Sequence, residues 1–61
     1  MNDFLEKRPE IGRIVQVYDS FHNYYFGAIY CEGDYLEVIE CEDQRVSGAI
    51  TDFSWLEWRY L

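Results

Sequence analysis

Tyr24-Tyr25-Phe26-Gly27-Ala28-Ile29-Tyr30-Cys31-Glu32-Gly33-Asp34-Tyr35-Leu36-Glu37-Val38-Ile39-Glu40-Cys41-Glu42 decides how this chain folds. Its first part is rich in aromatic and β-branched side chains, which suit a pleated, half-buried surface and suit a helix poorly. Glu32-Gly33-Asp34 supplies a turn, because Gly33 reaches positive φ at no steric cost. The run 35–41 then alternates, with Leu36 and Val38 on one side and Tyr35 and Glu37 on the other. The phase slips at Ile39 and Cys41, which are apolar where alternation asks for polar residues. A β-bulge near Val38-Ile39 is expected to return Ile39 and Cys41 to the core and leave Glu37, Glu40 and Glu42 outside. The stretch therefore predicts a hairpin of two strands, Tyr24–Cys31 and 35–41, with the rest of the chain packed around it.

Working outward, Ile11-Gly12-Arg13-Ile14-Val15-Gln16-Val17-Tyr18 reads as the preceding strand, with Val15 and Val17 sharing a face. Asp19-Ser20-Phe21-His22-Asn23 is a polar loop with one aromatic at its centre. After the hairpin, Glu42-Asp43-Gln44-Arg45 is a second turn, and Val46-Ser47-Gly48-Ala49-Ile50-Thr51 a fourth strand with Val46, Gly48 and Ile50 inward. Ser54-Trp55-Leu56-Glu57 has capping-box spacing. With so few residues after it, the expectation is a single 3₁₀ turn and then a short closing strand. Residues 1–10 are expected to form an arm or a short turn capped by Asn2 or Asp3, carrying Phe4 and Leu5 and stopped by Pro9.

Sixty-one residues make one domain. A chain this short buries only about 60% of its unfolded surface and rarely gains more than about 3–5 kcal/mol. It has little room for both a core and a deep cleft, so binding is expected on a shallow surface. Twelve acids against five bases give a net charge of −7. That balance disfavours nucleic acid and anionic membranes, which demand a basic face. The acids are clustered: Glu32, Asp34, Glu37, Glu40, Glu42 and Asp43 fall together, and no lysine or arginine lies between Arg13 and Arg45. Cys31 lies beside the hairpin turn and Cys41 at the far end of the partner strand, several residues of about 3.4 Å each apart. A disulfide needs Cα atoms within about 7 Å, so two free thiols and a reducing, cytoplasmic compartment are expected. No stretch approaches the roughly 20 apolar residues of a membrane span.

Five short strands with one turn of helix before the last predict an all-β small barrel spanning residues 11–61. The pattern resembles the SH3-like barrels, and among them the Tudor-type variant. The resemblance rests on Gly12-x-x-Val15-x-Val17, Tyr25-Phe26-Gly27-Ala28, Tyr35-x-x-Val38, the stretch from Val46 to Ile50, and Leu56-x-x-Arg59-Tyr60-Leu61. It implies a recognition module rather than an enzyme. Tudor domains that read methylated lysine or arginine usually carry an aromatic in the turn after the third strand. Glu42-Asp43-Gln44-Arg45 has none, and no long acidic loop of the proline-binding kind separates the first two strands.

Twelve aromatic residues are more than so thin a barrel can hide. Tyr24 and Tyr25 are adjacent in a strand and must face opposite ways, so at least one is exposed. The expected partner-binding surface is Phe21, Tyr24, Tyr25 and Tyr35, with Glu32, Asp34, Glu37 and Glu40 around it. Tyrosines bring large contact area at low entropic cost, and carboxylates suit a lysine- or arginine-bearing partner. Asp19, Ser20 and His22 lie too close together to form a catalytic triad with an oxyanion hole. No catalytic residue, metal site or cofactor is expected. The function implied is a small acidic protein–protein interaction module, an inhibitor or adaptor docking on a basic, for example nucleic-acid-binding, surface. Phage-encoded and immunity-type inhibitors offer an analogy of size and charge. Two alternatives remain: a Tudor-like reader of a basic peptide with Tyr25 and Tyr35 lining a reduced cage, and a self-associating structural subunit.

Overall fold

The hairpin forms where the aromatic and β-branched runs lie. A computed structural model describes residues 1–41 and 48–61. Among them are six strands: β1 (Asn2–Asp3), β2 (Ile14–Asp19), β3 (Tyr24–Cys31), β4 (Tyr35–Glu40), β5 (Ala49–Ile50) and β6 (Leu56–Tyr60). They make one open antiparallel sheet in the order β1-β6-β2-β3-β4-β5. The fold is all-β, and no helix is long and apolar enough to cross a membrane among the described residues.

Alternation sets which side chains meet. Val15 and Val17 from β2, Phe26, Ala28 and Tyr30 from β3, Leu36 from β4, and Leu56 and Trp58 from β6 are all buried in one cluster. Tyr24, Val38, Cys41 and Ile50 pack around its margin. The hairpin turn 32–34 places Gly33 at φ 102 and Asp34 at φ 62. Asp tolerates this left-handed region better than most residues do.

The bulge falls where the phase slips: Gly27 faces Glu40 while Ala28 faces Val38. Its outcome differs from the expectation at Ile39. Val38 and Cys41 turn inward, and Ile39 is the extra residue, 52% exposed on the outer face. A Cβ at Gly27 would lie in ordinary van der Waals contact with Ile39 Cγ1, 3.6 Å away, so the bulge packs against this position without requiring glycine there.

Several other expectations are corrected. A sixth strand exists because Asn2 and Asp3 pair with Trp58 and Glu57, making the N-terminal residues part of the sheet. The first long strand begins at Ile14 rather than Ile11, because Gly12 turns at φ 87. Gly48 is exposed rather than inward. The expected 3₁₀ turn before β6 is a single β-turn. Leu56 N–H donates to the Phe53 carbonyl at 3.1 Å, but Trp55 takes φ 70, outside the 3₁₀ region. The expected 42–45 turn and the inward Val46 lie outside the described residues. Cys31 and Cys41 are free thiols.

Among the described residues, no second sheet or helix covers the apolar face near Phe53 and Trp58. The N-terminal segment supplies the cover. Asp3 accepts a bond from Leu5 N–H at 2.8 Å and so caps a turn that drives Phe4 inward. Phe4 is fully buried, its ring stacked 4.9 Å from Phe53 and 6.1 Å from Trp58. The Trp58 indole donates to the Lys7 carbonyl at 2.8 Å. Arg8 lies 4.5 Å over the Phe53 ring and reaches Asp34 at 2.8 Å, while the Tyr30 hydroxyl donates to the same carboxylate. Arg13 lies 3.8 Å over Tyr60, whose hydroxyl accepts from Glu10 N–H at 2.9 Å.

Phe4→Ala is expected to cost about 3–5 kcal/mol, comparable with the whole stability of a chain this size. Urea titration should find it largely unfolded, whereas Leu5→Ala, at a site 65% exposed, should stay within about 0.5 kcal/mol of wild type.

The Arg8 guanidinium, and after it the Tyr30 hydroxyl, hold the Asp34 carboxyl below its ordinary value. The folded pKa is depressed, so this stabilisation is present above the unfolded value near 3.9 and is lost as pH falls through the lower folded value. Thermal melts should show a gap between wild type and Asp34→Asn at pH 7 that closes below about pH 4. A gap independent of pH would contradict this.

Candidate functional site

The eight expected partner-binding residues do not form one patch. Phe21 sits in the loop between β2 and β3, and Tyr24 opens β3 on the inner side, half-buried. Tyr25 faces outward, 55% exposed, its ring 4.7 Å from Tyr18. Tyr35 pairs with Cys31 at the other end of the hairpin, so Tyr25 and Tyr35 are separated by about 20 Å of strand. The two do not line a common cage. The Cys31 thiol beside Tyr35 raises its phenol above the ordinary value. Glu32 and Asp34 belong to the hairpin turn, and Asp34 is engaged by Arg8 and Tyr30.

Two surfaces emerge instead. The first is the outer face of the sheet. Glu37 lies opposite Ile29 and Ala49, and Glu40 opposite Gly27. A shallow groove of about 500 Å³ runs here, lined by Gln16, Tyr25, Gly27, Glu40 and Leu61, with edges of Tyr24 and Phe26. The extra residue of the bulge brings Ile39 onto this face, and Ile14 is exposed opposite Ile29. Glu37 and Glu40 form no ion pair with other described residues. Arg59, on this face, donates to Gln16 Oε1 at 2.8 Å.

The second surface is built on Asp19. This carboxylate is buried at the end of β2 and accepts from Phe21 N–H at 2.9 Å, His22 N–H at 3.0 Å and His22 Nδ1 at 2.8 Å. Asn23 N–H closes the loop onto the Asp19 carbonyl at 2.7 Å, with Asn23 at φ 58. Ser20 donates both its N–H and its hydroxyl to the Trp55 carbonyl, at 2.9 and 3.0 Å. The Ser20 hydroxyl is thus turned to Trp55 while His22 turns to Asp19. On the other side, Asp52 accepts from Ser54 N–H at 3.0 Å, a bond that holds its carboxyl below the ordinary value.

These ties clamp two loops together and place Phe21, 68% exposed, 6.0 Å from Trp55, 64% exposed. His22 meets Phe21 edge-on at 4.9 Å and lies 5.9 Å from Tyr24. Below them is a cleft of about 260 Å³ whose walls include Asp19, Tyr24, Ile50, Asp52 and Trp55. Trp55, His22 and Asp52 were not among the expected site residues. For Asp52 the signal was Asp52-x-Ser54, an Asx-turn spacing, which competes with the capping-box reading of Ser54 to Glu57; His22 and Trp55 are placed by contacts between the two loops. No family model, curated protein or solved structure matches this chain.

A bulky residue at φ 70 costs about 1–2 kcal/mol. Trp55→Gly should therefore be more stable than Trp55→Ala by about 1 kcal/mol in urea unfolding. Equal stability of the two would remove the strain.

Proposed function

We propose that this chain is an acidic protein–protein interaction module, a binding protein rather than an enzyme, whose outer sheet face docks on a basic surface of a larger protein. The observation that carries this reading is the groove beside Tyr25. Exposed Tyr25, Ile39 and Leu61 share that face with Glu37 and Glu40, whose charges find no cation among the described residues. Aromatic and aliphatic area supplies affinity, and the carboxylates supply steering and partner choice. A standard interface takes about 800 Å² per partner, about a fifth of the 4143 Å² of accessible surface, so one sheet face is sufficient.

The finer fold belongs to the same proposal. The meander β2-β3-β4-β5 with β6 returning beside β2 supports an SH3-like small barrel, a scaffold suited to recognition. A role as an inhibitor or adaptor covering a cationic, nucleic-acid-binding face follows from the charge. The two free thiols support a reducing, cytoplasmic setting.

The test is capture from host lysate with wild type, Tyr25→Ala and Glu37→Lys/Glu40→Lys as baits, all checked for folding by circular dichroism. Wild type should retain one basic protein, less at moderate than at low salt. The double lysine variant should retain it about tenfold less, and Tyr25→Ala should weaken it too. Equal capture by wild type and the double variant would sink the proposal.

A further inference from the structure

We infer that the Phe21–Trp55 pair, with Asp52 at its rim, is a receptor for an arginine side chain carried by a partner protein. The fold holds two of its own arginines in one way. Arg8 lies over Phe53 and is paired with Asp34, and Arg13 lies over Tyr60 and is paired with Glu10. In both places an aromatic face and a carboxylate together hold one guanidinium. Phe21, Trp55 and Asp52 line one cleft with the same two ingredients, and no arginine or lysine among the described residues reaches it.

A second observation is independent of composition. Trp55 is held at φ 70 while its ring stands mostly in solvent. Strain of this kind persists only where surrounding structure over-determines it, and it gathers at ligand clamps. Here the over-determination is visible: Ser20 donates twice to the Trp55 carbonyl, and Asp52 caps the turn at Ser54. The indole gains little burial in return. Its gain is a π face presented beside a second ring 6.0 Å away, in a cleft that Asp52 also lines. Arginine fits better than lysine, since a planar, weakly hydrated guanidinium stacks on rings while still pairing with a carboxylate.

This cleft centres on Phe21 and Trp55 and shares only Tyr24 and Phe26 with the Glu40 groove, and its test uses a small probe without a captured partner. Failure here leaves the outer-face reading standing, and the reverse also holds. The probe is an acetylated pentapeptide with one central arginine. Its control carries citrulline, which has the same shape without the charge. The readout is the indole N–H signal in a ¹⁵N-correlated NMR spectrum of the full chain. Trp58, buried and bonded to Lys7, is the internal reference.

The Trp55 signal should move saturably with the arginine peptide and about fivefold more weakly with citrulline. Phe21→Ala and Asp52→Asn, which keeps the capping acceptor, should each weaken the response, with the Trp58 signal unmoved. Equal response to both peptides, or none, overturns the proposal. So does movement of the Trp55 signal with protein concentration alone, which would assign the cleft to a second copy. Arg45→Gln is the last arm: unchanged affinity supports an intermolecular arginine, and tighter binding would give the cleft to the chain's own base.

Discussion

The stacking of Phe4 on Phe53 and against Trp58 closes a core that a single sheet cannot close alone. Among the described residues, the other members of the buried hydrophobic cluster come from one face of the strands or from the turn before β6. Without a second layer, Trp58 and Phe53 would face water. The N-terminal segment is held over them by groups of three kinds: β1 pairing with β6, the Trp58 indole bonded to Lys7, and Arg8 bridging Phe53 and Asp34. In so small a chain, hydrophobic stabilisation and the entropy of ordering nearly cancel. The covering segment is thus part of the cooperative unit.

The same economy explains where the charge goes. Arg8, Arg13 and Arg59 each serve an internal contact, with Phe53 and Asp34, with Tyr60 and Glu10, and with Gln16. Asp3, Asp19 and Asp52 are spent on backbone N–H groups at turns. Glu32, Glu37 and Glu40 remain exposed on the hairpin. The net charge is therefore expressed unevenly, on the hairpin more than elsewhere. An acidic composition used only for solubility has no need of exposed Tyr25 and Ile39 among the carboxylates.

The loop between β2 and β3 and the turn before β6 form a second rigid feature. Asp19 satisfies three donors at once, and among the described residues no buried side-chain nitrogen or oxygen lacks a partner. Rigidity at an exposed aromatic pair lowers the entropic cost of binding there. The outer groove is the larger of the two; in the proposed reading it meets an extended basic face, and the smaller cleft one projecting side chain.

Much of the architecture follows from local chemistry that can be read residue by residue. Aromatic and β-branched runs specify β3 and β4, Gly33 specifies the turn between them, and the broken alternation at Val38-Ile39 locates the bulge. Capping by Asp3 follows the same logic. These features depend on neighbours within a few positions, and periodicity records such neighbours. The direction of Ile39, the β-turn conformation at Trp55 and the meeting of Phe21 with Trp55 depend on something else. Ile39 points outward because the register shift against β3 makes it the extra residue of the bulge. Trp55 adopts φ 70 in a turn whose carbonyl receives both Ser20 donors from a loop more than thirty residues away. Tyr25 and Tyr35 look like neighbours in composition, yet the register sends them to opposite ends of the hairpin. Strand identity was written in short-range pattern. The candidate site was set by contacts between segments distant in sequence, which no local pattern encodes.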